Sequence, residues 1–334
     1  RRPLIVGHRG SCGMLPEHTV ESYQLAIEQG ADCIECDIVL TKDGVPICRH
    51  NTLLDETTDV HSRPEFASRK TKRVVDGEEL EGFFAVDFTL EEIKQLGATQ
   101  RLDFRNPNFD GMFKIATFQE QIDLVKKSRL LGKTCLYPEI KHTTWHNSLS
   151  ASLWDNKRFE DIVLDLLREN GYDGERMERV YMQSFETTDL QYMSTRSRIR
   201  LIQLVDEMDM VQADTNRTFA HFMTEQGLRD VGEYAYGISP NKNDIAPVNA
   251  TSGSMDSTSL AHGKTFVQNA HKNGLKVHPW VFRNEYEFLA WNFGQDPYNE
   301  YKFFVEDVGI DGVFTDFPET AVRYAELMVH SCTS

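Results

Sequence analysis

Short apolar runs recur along this chain, and several end in charged or hydrogen-bonding side chains. Leu4–Gly7, Cys33–Leu40 and residues 45–48 have the length and content of strands, and His8-Arg9, the Glu35/Asp37 pair and His50 stand at or beside their ends. Between the first two runs, residues 19–29 place Val20, Tyr23 and Ile27 on one helical face, and Gly30 follows as a stop. A strand, a helix and a second strand, with reactive groups at the strand ends, are the beginning of a β/α barrel whose site lies at one rim.

The pattern continues with one interruption. Thr41-Lys42-Asp43-Gly44 is a turn short enough to force antiparallel pairing of the strands beside it, which leaves one strand too many for a plain eight-strand barrel. Residues 52–115 lose the alternation. They hold a basic cluster (Arg69, Lys70, Lys72, Arg73), acidic Glu78, Glu79 and Glu81, and a helix start at Thr89 with Glu92 in the capping-box position. This segment reads as an insertion over the barrel mouth with its charges on a solvated face. The barrel rhythm then resumes with a helix over 117–131, the strand Cys135–Ile140 ending in Glu139 and Lys141, and a loop carrying His142, Trp145 and His146. A helix over 159–168 and strands over 180–185, 200–204 and 236–238 follow. A Ser/Thr/Gly-rich loop over 249–259 leads to a helix over 265–273, a strand over 276–281 presenting His278 and Trp280 on one face, and the last strand, Gly312–Thr315. With no internal repeat, the expectation is one catalytic α/β domain over residues 1–334: a TIM-type β/α barrel with 52–115 as an insertion capping the active-site face.

The rim residues carry the chemistry. Glu35 and Asp37 lie two apart on a strand, so both face the same way, and apolar neighbours make that way inward. Adjacent carboxylates coexist when one is protonated or a cation sits between them, and hard oxygen donors suit Mg2+ or Ca2+ rather than zinc. Glu139 is the natural third carboxylate. His8 and His50 come from different strands, which suits an acid and a base acting on opposite sides of one bond and predicts opposite protonation states for the pair. Arg9 offers a fixed fork for a phosphate, and Lys141 shares a face with Glu139.

Composition narrows the class. The 40% hydrophobic and 26% charged content is that of a soluble globular enzyme. A net charge of −16 excludes a general basic surface for nucleic acid or anionic membrane, so an anionic substrate must be held locally. No apolar run reaches the about 18 residues of a membrane span. Arg1-Arg2-Pro3 leads straight into the first strand as a trimmed mature chain would, and Asn216-Arg217-Thr218 and Asn249-Ala250-Thr251 fit the glycosylation pattern, so a secreted or extracytoplasmic location is expected. Cys33-x-x-Cys36 overlaps the carboxylate pair within a strand and reads as buried thiols, while a disulfide through Cys12 stays open.

His8-Arg9-Gly10, Pro16-Glu17-x-Thr19, Glu35-x-Asp37 and His50, followed by Leu54-Asp55-x-Thr57-Thr58, Glu139-x-Lys141, Gln183-Ser184-Phe185, Trp280 and Asp311-Gly312-x-x-Thr315-Asp316-x-Pro318, resemble the glycerophosphodiester phosphodiesterases over nearly the whole chain. His18 stands where that family usually has Asn, and Asn51 where it usually has Asp. The resemblance implies metal-dependent hydrolysis of small glycerophosphodiesters to glycerol 3-phosphate and an alcohol, with one divalent cation, Mg2+ or Ca2+, on Glu35, Asp37 and Glu139. It implies His8 and His50 as the acid–base pair, Arg9, Lys141, Gln183, Phe185 and Trp280 on the substrate, and Glu17 behind them. The insertion resembles that of the family's glycerophosphodiester-specific branch. The alternatives are phospholipase D-type action on lysophospholipids or sphingomyelin on the same fold, and a non-catalytic binding protein on a barrel scaffold.

Overall fold

All eight residues of the run Cys33–Leu40 are buried, the mark of a strand covered on both faces. The computed structural model describes residues 2–128 and 134–331. Its strands are β1 (Leu4–Gly7), β2 (Cys33–Leu40), β3 (Pro46–Cys48), β4 (Thr71–Val75), β5 (Glu78–Gly82), β6 (Cys135–Ile140), β7 (Tyr181–Ser184), β8 (Arg200–Val205), β9 (Gly237–Pro240), β10 (Lys276–Val277) and β11 (Gly312–Thr315). Parallel pairing runs in the order β10-β9-β8-β7-β6-β2-β1-β11. The two ends approach each other through Phe282 N–H to Phe314 O at 2.7 Å and Phe314 N–H to Pro279 O at 3.2 Å. The result is a nearly closed eight-strand parallel barrel of the TIM type. The surplus strand is β3: it pairs antiparallel with β2, Ile38 opposite Cys48, and lies off the barrel path.

Helices cover the outside, each with a local reason to start where it does. Thr19 caps Val20–Glu28. Thr117 and Glu120 form a capping box on Phe118–Lys127, and the last residues of the helix expected over 117–131 lie outside the described residues. The helix expected over 265–273 begins earlier and spans Ser257–Lys272, because Asp256 accepts from the Thr258 and Ser259 N–H groups and turns the Ser-rich stretch into a first turn. The segment expected as a loop after Lys141 is instead the helix Thr143–Leu153. His142 caps it in a left-handed conformation. His146 is fully buried inside it, its Nε2 accepting the Leu40 N–H at 3.3 Å. His146 is therefore not the surface-loop residue that its setting implied, whereas His142, in the bend before the helix, stays partly exposed.

Residues 52–115 hold the hairpin β4–β5 and the short helix Leu90–Ile93, whose Thr89/Glu92 capping box is present as expected. Leu54, Val60, Phe66, Phe83, Phe88 and Ile93 build a small core that packs on Val39 and Ile47 of β2 and β3. Cross-strand and neighbouring pairs such as Lys72–Glu79 and Arg73–Asp87 occupy the basic cluster. Of the strand expected over 276–281, only Lys276–Val277 is regular strand, and an isolated parallel bridge joins Trp280 to Asn241. His278 points toward the opposite end of the barrel, where its Nδ1 lies 2.9 Å from Tyr137 Oη.

The cysteines depart from expectation. Cys33 is bonded to Cys135, its in-register neighbour on β6, and Cys36 to Cys48. They are disulfides, not buried thiols. Cys12 is free and buried. Among the described residues no helix is long and apolar enough to cross a membrane.

Candidate active site

The C-terminal ends of the strands open on a cleft of about 670 Å³. His8 and Arg9 follow β1, Glu35 and Asp37 come from β2, His50 follows β3, and Glu139 and Lys141 come from β6 and its end. Gln183 and Phe185 from β7, and Trp280 after β10, line the same cleft. Of the residues singled out in the sequence, only Glu17 stays behind the wall, fully engaged with Arg9.

Arg9 organises the floor. It sits at φ 56°, in the left-handed region that costs a non-glycine residue about 1–3 kcal/mol. That conformation lets its N–H donate to Glu35 Oε2 at 2.6 Å while its guanidinium grips both Glu17 oxygens at 2.9 and 3.0 Å. Burial would raise the Glu17 carboxyl, but Arg9, with His18 and Arg101, outweighs it and holds the group down at about 2. Arg49, fully buried beside His50, donates to the Glu17, Cys48 and Thr57 carbonyls and so fixes the end of β3.

His8 is oriented from behind. Its Nδ1 lies 2.6 Å from Asp316 Oδ1, and its Nε2 accepts from Arg9 Nε at 3.2 Å. The ring proton therefore sits on Nδ1 and the basic lone pair on Nε2. Asp316 in turn accepts from Arg105 at 2.6 Å and Arg283 at 2.8 Å. Burial opposes its charge, yet these partners hold the Asp316 carboxyl well below its usual range. Burial and Arg9 lower the affinity of His8 for a second proton. His50, half-buried on the facing wall, is lowered further by burial, Arg9 and Lys141. Both shifts favour the neutral imidazole.

The carboxylates divide. Burial pushes Glu35 well above the usual range, and Asp37 beside it adds to the push. Asp37 itself is held well below, because Lys141 and the His18 hydrogen bond outweigh its burial. Burial, reinforced by Asp37, raises Glu139 against the opposing pull of Lys141, whose Nζ lies 2.8 Å from Glu139 Oε1 and 3.6 Å from Asp37 Oδ1. Three buried carboxyls on one wall, two of them forced toward protonation, have the donor chemistry of a hard-cation site. An oxygen each of Glu35 and Asp37 and a ring nitrogen of His18 lie within 4.8 Å of one another, a group that does not include Glu139.

Three contributors were not assigned from sequence. His18, also left-handed at φ 57°, bridges Asp37 Oδ2 at 2.9 Å and Tyr23 Oη at 2.8 Å. Its signal was present as the departure from Asn. Asp316 stood in a quoted motif without a role. Arg105 lies in a stretch that reads as loop, yet it is buried and ties the 52–115 segment to Asp316, Glu285 and the Cys12 carbonyl. No local pattern marks such a residue.

The chain is similar to known proteins. The model of the glycerophosphoryl diester phosphodiesterase family matches residues 8–320. The chain is 42% identical to glycerophosphodiester phosphodiesterase GDPD6 of Arabidopsis thaliana over 333 residues, covering 98% of this chain and 87% of that one. It is 27% identical to the glycerophosphodiester phosphodiesterase of Haemophilus influenzae, over 96% of this chain and 89% of the relative. Two solved structures share the fold. One is glycerophosphodiester phosphodiesterase of Thermotoga maritima, at 19% identity and TM-score 0.56 over 97% of this chain and 98% of that one. The other is an Oleispira antarctica phosphodiesterase in complex with the product sn-glycerol-3-phosphate, at 17% identity and TM-score 0.60 over 97% of both chains. A barrel with this rim, matched from His8 into its last helix, places the chain in the glycerophosphoryl diester phosphodiesterase family.

Proposed function

We propose that this protein hydrolyses small glycerophosphodiesters to glycerol 3-phosphate and an alcohol, with His8 and His50 as the proton-transfer pair. The observation that carries the reading is His8, locked by Asp316 in the tautomer that aims a basic Nε2 into a cleft shared with His50, Arg9 and the carboxylates. His8 takes the proton of the attacking hydroxyl. His50 delivers one to the departing alcohol oxygen. Arg9 and Lys141 face the phosphate oxygens and offset their charge. Gln183, Phe185 and Trp280 bound the space on either side.

The family is metal-dependent in general. Glu35, Asp37 and Glu139 fit an ion, since a divalent cation would relieve the crowding that pushes Glu35 and Glu139 toward protonation. Hard oxygen donors favour Mg2+ or Ca2+. The ion supplies Lewis-acid polarisation of a phosphoryl oxygen when bound. Residues 52–115 act as a cap within one barrel domain, a role supported by Val75, Asp76, Glu78 and Leu80 of the hairpin lining the cleft. The two disulfides and the exposed Asn216 and Asn249 support an extracytoplasmic setting.

Met210 and Val211, exposed at the cleft mouth, favour a second reading in which a lysophospholipid chain rests there. A panel of glycerophosphodiesters and lysophospholipids, followed by release of glycerol 3-phosphate or of free head group, separates the two. Turnover confined to the first set is expected, and none with any phosphodiester overturns the proposal. Shortening the hairpin should raise lysophospholipid turnover relative to glycerophosphocholine. An unchanged ratio in a folded variant refutes the cap.

A further inference from the structure

The floor of the barrel is open where such barrels are ordinarily plugged. Layers of bulky, branched side chains usually fill the interior of a β/α barrel. Here the strands begin on other residues: Cys135 opens β6, Tyr181 β7, Arg200 β8 and Lys276 β10. With Tyr236, just before β9, and His278 they line a cavity of about 820 Å³ at the end of the barrel away from the active site. Five basic side chains reach it, Arg2, Arg179, Arg198, Arg200 and Lys276, against four carboxylates, Asp32, Glu175, Glu178 and Asp311. None of these residues lines the active-site cleft.

The excess of one cation is small, so what decides is which charges already have partners. Asp32 accepts from Arg2 at 2.6 Å and from the Ile5 N–H at 2.8 Å. Asp311 accepts from Lys276 at 2.9 Å and the Val277 N–H at 3.1 Å, and lies 2.7 Å from His271 Nε2. Burial opposes its charge, yet His271 and Lys276 hold the Asp311 carboxyl below its usual range. Glu178 pairs with Arg198 at 2.8 Å on the exposed rim. Arg200 is different. Its Nη1 donates to Tyr181 Oη at 2.7 Å, and its guanidinium carbon lies 5.3 and 5.1 Å from the ring centres of Tyr181 and Tyr236. Among the described residues no carboxylate pairs with it, and its other N–H groups have no acceptor. His278 lines the same cavity, 3% exposed. Its Nδ1 meets Tyr137 Oη at 2.9 Å, and its Nε2 has no partner among the described residues. A half-buried guanidinium held against two rings, with most of its planar fork idle beside a cavity, is one preformed side of an oxyanion site.

We propose that the floor cavity is a second binding site, for a phosphate dianion, free or carried on a small phosphomonoester, with the Arg200 fork as its principal contact. The inference goes beyond the phosphodiesterase reading and does not depend on it. A phosphate suits the fork because two parallel N–H donors match two of its oxygens. Its second charge suits a cavity whose carboxylates are already engaged while one guanidinium is not. The volume, far above that of a bare ion, leaves room for an organic tail between the tyrosines and the rim.

Calorimetric titration of the full chain with inorganic phosphate, and separately with glycerol 3-phosphate, tests the site. The cleft also offers Arg9 and Lys141 to a phosphate, so the wild type should show two binding events. Arg9→Gln should remove the cleft event and keep the other. Arg200→Gln should weaken that other event about tenfold or more, the size of one charge-assisted contact, and leave both the cleft event and the turnover of glycerophosphocholine unchanged. In the Arg9→Gln variant, tighter binding of glycerol 3-phosphate than of inorganic phosphate assigns the site to a phosphomonoester, and equal or weaker binding assigns it to the free ion; either supports the inference. A single event in the wild type that Arg9→Gln abolishes, or a second event that Arg200→Gln leaves untouched, overturns it. Where Arg200→Gln folds poorly, the ring signals of His278 in the wild type read the same site: they should move as phosphate is added, and signals that stay fixed at saturating phosphate refute the proposal.

Discussion

Replacing Asp316 by Asn tests whether His8 works through its tautomer. Asp316 accepts from three donors: His8 Nδ1 at 2.6 Å on one oxygen, and Arg105 at 2.6 Å and Arg283 at 2.8 Å on the other. An amide offers one oxygen and one NH2. Guanidinium groups cannot accept, so the oxygen must stay toward the two arginines and the NH2 must turn to His8. His8 Nδ1 then accepts, the ring proton moves to Nε2, and the lone pair that faces the cleft is lost. The Asp316→Asn variant should lose about 10²–10⁴-fold in kcat, the range of one general base, or about 3–5 kcal/mol of barrier. Its affinity for the divalent ion should hold within about twofold, since Asp316 touches none of Glu35, Asp37 and Glu139, and a twofold change is only about 0.4 kcal/mol. Turnover is read as glycerol 3-phosphate released from glycerophosphocholine, and the His8 tautomer from its ring nitrogen shifts. Near wild-type kcat, with the proton shown to sit on Nε2, would refute the reasoning.

Chelation should abolish turnover and Mg2+ or Ca2+ restore it, and Glu35→Gln should weaken ion binding measured by calorimetry; full activity in excess chelator would contradict the site. His18→Ala should weaken ion binding about 10–100-fold by freeing Asp37 Oδ2, whereas His18→Asn, which can still donate, should recover much of it; equal affinities in both variants would make His18 purely structural. His146 is held neutral by burial, its pKa lowered from 6.5 to about 3. Between those values the unfolded chain binds a proton that the native protein does not, so this contribution is full above pH 6.5 and is lost as pH falls toward 3, at about 1.4 kcal/mol per unit. The His146→Gln variant should therefore lose less thermal stability between pH 7 and pH 5 than the wild type does, and an unchanged difference would exclude the effect.

How much of this was legible in the chain follows from which interactions are local. The ends of β1, β2 and β6 could be read because the apolar runs and their polar ends are contiguous, and the Thr89 cap because a capping box spans four residues. The two disulfides were misread because Cys33 meets Cys135 across 102 residues, and only the β2–β6 register brings them together. His146 was misjudged for a related reason. The burial of His146 comes from Trp154 and Phe159 packed against its ring and from the Leu40 N–H, none of which its own neighbourhood announces. Arg105 and Asp316 were visible as residues and invisible as a pair, since 211 positions separate them.

For the proposed acid–base pair, the downward shift of both histidines is the state that substrate binding would change. His50 is kept free of its second proton by burial and by Arg9 and Lys141. These are the cations that a bound phosphodiester would neutralise. Substrate binding therefore removes part of what depresses His50 and adds a negative charge near its ring, and both changes favour the imidazolium. His8 responds differently, because Asp316 already holds its Nδ1 proton and its basic atom faces Arg9 Nε. In the proposed reaction, the anion would thus favour a second proton on His50 more than on His8. In the proposed metal site the same logic applies to Glu35 and Glu139, which burial pushes toward protonation and which a divalent cation would hold as carboxylates. In a chain of net charge −16 the rim can afford few fixed cations. Arg9 serves several of these relations at once, and that is why it is gripped by Glu17 in a strained conformation rather than left free at the mouth.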